Sequence, residues 1–150
     1  MRYLLAVIAL ALFLTASSAR AGENLKINPH LDYTSDSQDG PLITGNHMDD
    51  GVVAHRVNYI LMYGEGCYNS KRQARRTVAL YEKYRGRVNF VIIDLDRRQS
   101  PEQSELVKKH YKGLIPHIVI LDKVGKPLHD ASGEFDESEI AAIFDKALAQ

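Results

Sequence analysis

Two near-continuous apolar runs, residues 57–63 (VNYILMY) and 88–95 (VNFVIIDL), stand one helix length apart, and they restrict the folds open to this chain more than any other feature. Apolar runs of this length without alternation read as strands buried on both faces. Between them, Ala74, Thr77, Val78, Tyr81 and Tyr84 recur at steps of three and four residues, while Lys71, Arg72, Arg75, Arg76 and Lys83 fall elsewhere, which predicts a helix over 67–84 ended by Gly86. A right-handed crossover then makes the two strands parallel, and a sheet buried on both faces needs helices on both sides.

The rest of the chain extends that pattern. Ser100-Pro101-Glu102-Gln103 combines a serine cap, a proline at the first helical position and a glutamine three residues after the cap, so a helix runs to about Tyr111 and stops at Gly113. Leu114-Ile115-Pro116-His117 leads into a third strand over 118–121, with proline at its start, where a missing N–H is tolerated. A turn at 123–126 and a return strand over 127–132 make an antiparallel pair. Asp136-Glu137-Ser138-Glu139 resembles a capping box, followed by the apolar stripe Ile140, Ile143, Phe144, Ala147 and Leu148. Upstream, residues 22–45 are polar and turn-rich and read as an extended lead-in that lies over the domain or stays mobile. A short helix capped by Asn46 is expected over 46–56, weakened by Gly51. The fold class is α/β, with a central mixed sheet of about four strands and helices on both faces.

Residues 1–21 have the features of a signal peptide: Arg2, an apolar run over 3–14, and Ala19-Arg20-Ala21 as a small-x-small cleavage site. The run is shorter than the roughly 20 apolar residues a membrane span needs. Cleavage after Ala21 would leave no stable membrane insertion and a periplasmic or secreted chain, divided into an extension over 22–45 and a domain over 46–150. Removing Arg2 and Arg20 from 19 basic side chains leaves 17 against 19 acidic ones, a net charge of −2, which argues against a nucleic-acid partner. Roughly 130 residues support one core and no more. With a single cysteine, Cys67, the exported chain can form no internal disulfide.

The element order, together with three local features, resembles the thioredoxin superfamily over about residues 57–148. Cys67-Tyr68-Asn69-Ser70 opens the first long helix as a CxxS version of the family's CxxC; Ile115-Pro116 stands where the family has its cis-proline loop; Gly133 lies between the hairpin and the last helix, where thioredoxins have a glycine. The resemblance implies a thioredoxin-like fold, a cis bond before Pro116, and a client segment pairing with Ile115 near Cys67 and Tyr68. It also marks departures: Gly66 replaces the family's tryptophan, Ser70 its second cysteine, and Leu61 its buried acid.

At a helix start, unpaired backbone N–H groups favour the nucleophilic thiolate, and Lys71 and Arg72 would add positive charge nearby. Cys67 could then attack a disulfide of a client protein or small thiol compound and hold it as a mixed disulfide, with Ser70 donating a hydrogen bond to the sulfur. A lone thiol also permits a disulfide-linked homodimer. The alternative is a redox-inactive binding or assembly module on the same scaffold. A metal chaperone using Cys67 and His117 lacks a ligand spacing, and no metal or other cofactor is expected. Lys71-Arg72, Arg75-Arg76 and Arg97-Arg98 read as solvated faces, and the tyrosines as packing residues with hydroxyls at the rim.

Overall fold

The computed structural model describes residues 21–150. The leader expected over residues 1–21 therefore lies outside the described residues except for Ala21, which is buried and donates its N–H to Asn89 Oδ1 at 3.1 Å.

A four-stranded mixed sheet carries the molecule. β3 (Val57–Tyr63) is central, parallel to β4 (Val88–Asp94) and antiparallel to β5 (His117–Leu121), which pairs in turn with the edge strand β6 (Pro127–Ser132). All seven residues of β3 are buried, as an unalternating apolar run requires. Its side chains divide by parity. Tyr59, Leu61 and Tyr63 join the core cluster shared with α1 (Tyr68–Tyr84) and α3 (Glu137–Leu148), whereas Ile60 and Met62 join the cluster against Leu106 and Val107 of α2 (Pro101–His110). The larger cluster centres on Phe144, fully buried with ring centroids 5.0 Å from Tyr84 and 5.8 Å from Tyr59. Truncating such a ring to alanine costs about 3–5 kcal/mol.

The helix ends follow the sequence signals. Ser100 accepts from Gln103 N–H at 3.2 Å, and Asp136 and Glu139 form a reciprocal capping box. Tyr59 departs from the expectation for tyrosines: its hydroxyl lies inside the core, 2.7 Å from Thr77 Oγ1, and burial pushes the phenol up to about 12.

The N-terminal part differs more. No helix forms over 46–56. Instead β1 (Glu23–Ile27) and β2 (Ile43–Asn46) make a two-stranded antiparallel sheet, and residues beyond it turn through left-handed His47 and His55. The reason is Asn58, whose side chain accepts from Val53 N–H and donates to the carbonyls of Val53 and Arg56, so 53–56 folds around a side chain instead of around its own backbone. The lead-in also supplies Leu25, Leu31, Leu42 and Ile43 to the larger core cluster, which decides between the two sequence readings in favour of a segment lying on the sheet-and-helix body.

Candidate functional site

Cys67 is the N-cap of α1, with extended backbone angles (φ −102, ψ 116). Its N–H closes a turn to Gly64 O at 3.3 Å, and its carbonyl accepts the first helical bond, from Lys71 N–H at 3.0 Å. The thiol is free and half-buried. A cysteine caps poorly, and the side-chain cap comes from elsewhere: Asp36 Oδ1 accepts from Tyr68 N–H at 2.9 Å. Tyr68 is half-buried, with the Arg72 guanidinium 4.5 Å above its ring. Ser70 is fully buried and its Oγ has no hydrogen-bond partner among the described residues, so the expected bond to the Cys67 sulfur is not made. Ser70 is a small residue that the buried start of α1 admits.

The cations beside Cys67 are compensated rather than solvated. Lys71 is fully buried, its Nζ held by Asp39 Oδ2 at 2.6 Å, Ser37 Oγ at 2.9 Å, and the carbonyls of Asp32 and Ser35 at 3.0 and 3.1 Å. Four oxygens around one ammonium are what burial of a lysine demands. The Lys71 hydrogen bond holds Asp39 below its ordinary value, and hydrogen bonds from Ser35 and Thr34 bring Asp32 down to about 2. Arg72 pairs with Glu134, which also takes Arg76 at 3.1 Å, and Arg75 lies 4.6 Å over the Tyr33 ring. Residues 32–39 thus form a strap across the start of α1. The end of the Gln38 side chain lies over Gly66, where a Cβ would stand 2.7 Å from its Nε2. Nothing local in the sequence links Asp32, Asp36 and Asp39 to Lys71.

On the other side of the turn, the Ile115–Pro116 peptide bond is cis. Met62 pairs with His117, so the chain leaving β3 toward Cys67 and the chain entering β5 from Pro116 run side by side. Ile115 packs directly on Gly64, where a Cβ would come within 2.6 Å of its Cδ1. Gly133, at φ +114, donates its N–H to Pro116 O at 2.8 Å, a backbone conformation that favours glycine at the position singled out in the sequence. His117 is buried with both ring nitrogens engaged, by Ser132 Oγ at 2.7 Å and Asp130 Oδ1 at 2.8 Å, so it does not serve as a ligand partner for Cys67.

Sequence reasoning missed an acidic group beneath the turn. Leu61 is buried and apolar, but Glu65 and Asp94 stand close together, with Arg97 Nε 2.5 Å from Glu65 Oε1 and 3.5 Å from Asp94 Oδ2. Burial first, and then the neighbouring Glu65, push Asp94 up to about 6. Asp96 Oδ2 accepts from Glu65 N–H at 2.6 Å and so fixes the turn from below. The signal available was the pair of acid-bearing segments, Gly64-Glu65-Gly66 and Asp94-Leu95-Asp96, at the ends of adjacent parallel strands.

Neither a family model nor a curated protein matches the chain. Solved structures do. Chloroplastic thioredoxin z is 26% identical, over 64% of this chain and 81% of that one, with a TM-score of 0.52. Thioredoxin-2 of a malaria parasite is 19% identical over 61% and 82% (TM-score 0.52), and a thioredoxin-like protein from Clostridium perfringens 17% over 63% and 72% (TM-score 0.52). The chain has the thioredoxin fold, with a four-stranded mixed sheet flanked by three helices.

Proposed function

We propose that this thioredoxin-fold protein is an exported monothiol exchange protein that captures disulfide-bearing clients through Cys67. The supporting observation is the placement of a half-buried free thiol at the cap of a 17-residue helix, in a turn whose Gly64 is packed by Ile115 of the cis-proline loop. The Cys67 thiolate attacks one sulfur of a client disulfide, the S–S bond breaks, and the second client sulfur leaves as a thiolate. The chain holds no second cysteine, so an external thiol must attack the mixed disulfide to release the client and restore Cys67. Ile115, Pro116 and Tyr68 are assigned to the client-binding side, and Ser70 to packing behind the thiol. Export rests on the sequence of residues 1–21; among the described residues no helix is long and apolar enough to cross a membrane. Cleavage after Ala21 would remove the Ala21–Asn89 hydrogen bond, and N-terminal sequencing of the secreted chain locates the cut.

One observation favours a second reading, a binding module without redox chemistry. Asp36 already accepts from an N–H at the tip of α1, and Lys71 and Arg72 are paired with acids, so less positive potential reaches the thiol than the sequence implied. Incubation with a disulfide-bridged peptide, read by intact mass under non-reducing conditions, separates the two. Exchange predicts a peptide adduct that reducing agent removes and Cys67→Ser abolishes; the module predicts peptide binding that Cys67→Ser leaves intact. Absence of any adduct would refute the first reading.

A further inference from the structure

The cis-proline loop is tied to a polar cluster on the opposite side of the sheet from α1. Ser132 Oγ lies 3.2 Å from Leu114 O, a carbonyl two residues before Pro116, and 2.7 Å from His117 Nδ1. His117 Nε2 lies 2.8 Å from Asp130 Oδ1, and the other oxygen of Asp130 is 2.8 Å from His110 Nδ1. His110 and His117 are both almost fully buried.

Counting protons makes these contacts conditional on one another. Ser132 has one hydroxyl hydrogen, and Leu114 O can only accept. Burial would raise Asp130, but the hydrogen bonds from His110 and His117 outweigh it and hold its carboxyl below the ordinary value, so Asp130 is a carboxylate that accepts from both rings. His117 Nε2 must therefore carry a hydrogen. If Nδ1 carries one as well, Ser132 accepts from it and its own hydrogen goes to Leu114 O. If Nδ1 is bare, it competes for the Ser132 hydrogen at the shorter distance, and the Leu114 carbonyl loses its donor. All the contacts are satisfied together only with a doubly protonated His117 ring.

We propose that Ser132 is a positioning residue for the loop at 114–116, and that protonation of His117 decides whether its hydroxyl holds the Leu114 carbonyl. The groups facing His117 are Asp130 and Ser132 from β6, His110 from the end of α2, and the Tyr111 ring at 6.5 Å, whereas His129, paired with Ile120 and packed on Phe135, lies on the other face of the sheet. His129 is held below its ordinary value, by burial first and then by His117. Because the Leu114 carbonyl and the Ile115 N–H share one peptide group, the relay acts on the backbone to which the proposed function assigns client pairing; in that respect the inference rests on that reading. Acidification locks the loop and a rise in pH frees it.

The test is a pH titration of the full chain by NMR, following the His117 ring nitrogens, the Leu114 carbonyl carbon and the Ile115 amide nitrogen. The expected result is that the Leu114 and Ile115 signals move with the same midpoint as His117. Ser132→Ala should abolish that shared shift while leaving the His117 titration in place, and Ser132→Thr should restore it. Overturning results are a Leu114 carbonyl signal that stays flat while His117 titrates, a His117 ring that does not titrate between pH 4 and 9, or an unchanged shared shift in Ser132→Ala. No thiol reaction enters this measurement, so a positive titration alongside failure to form an adduct would sink the exchange reading and leave the relay standing.

Discussion

Two segments close on the turn that presents Cys67, and they are held by different physics. The strap over 32–39 is fixed by full charges: a buried ammonium among four oxygens, and carboxyls kept well below their ordinary values. The cis-proline loop at 114–116 is fixed by single hydrogens: Gly133 N–H on Pro116 O, and a serine hydroxyl shared between a carbonyl and a histidine nitrogen. A charged anchor keeps its geometry across ordinary pH, whereas a shared hydrogen can move between two acceptors. One wall of the site is therefore built to stay and the other to respond.

Removing the charged anchor is the strongest way to break this contrast. Lys71→Ala strips the central cation from a buried cluster and should lower stability by about 3 kcal/mol, read as a shifted urea midpoint. If the midpoint barely moves, the strap is not what holds the start of α1. Between the two walls, Asp94 is a burden that the fold carries. Its folded-state value of about 6 lies above the ordinary 3.8, so the folded chain is penalised as pH rises from about 4 through 6 and escapes the penalty below that range. Asp94→Asn should gain about 2 kcal/mol at pH 8 and nothing at pH 4, by the same denaturation measurement at each pH. A smaller loss, about 1 kcal/mol, is expected for Asp36→Ala, which deletes the borrowed cap on Tyr68 N–H. The subtlest prediction concerns pH alone. Asp32, at about 2, and Asp39, below 3.8, contribute stability that is present above the unfolded value and lost only as pH falls through the folded ones. The amide signals of Asp32 and Thr34, which donate to Asp39 and Asp32, should therefore hold still from pH 8 to 5. Movement of these signals in that window would erase the distinction between the walls.

Legibility in the sequence followed the range of the interactions involved. The β3–α1–β4 unit could be read because each element announces itself within its own residues, through unbroken apolar runs and a stripe at helical spacing, and Ser100 and Asp136 mark caps only three residues wide. Cys67 as a helix start and the cis Pro116 were accessible through the family resemblance. What could not be read were side chains acting over long separations. Lys71 looked like one more surface cation of a basic helix, since its partners lie 32–39 residues upstream in a segment without periodicity. Leu25, Leu31, Leu42 and Ile43 belong to the core, yet their irregular spacing carries no strand or helix period. The helix expected over 46–56 failed for the same reason: its backbone is organised by Asn58, a residue of the following strand.

The central claim is that folding turns the only thiol of this chain into a better nucleophile than the same residue would be in a loose chain. The direct measurement is the second-order rate of adduct formation with oxidised glutathione, taken for the folded protein and for the same protein in concentrated urea, and compared with a cysteine peptide in both solvents to remove the effect of urea itself. The account predicts that the folded chain reacts faster than its own unfolded form. A folded rate equal to or below the unfolded one would contradict it and leave the scaffold reading in its place.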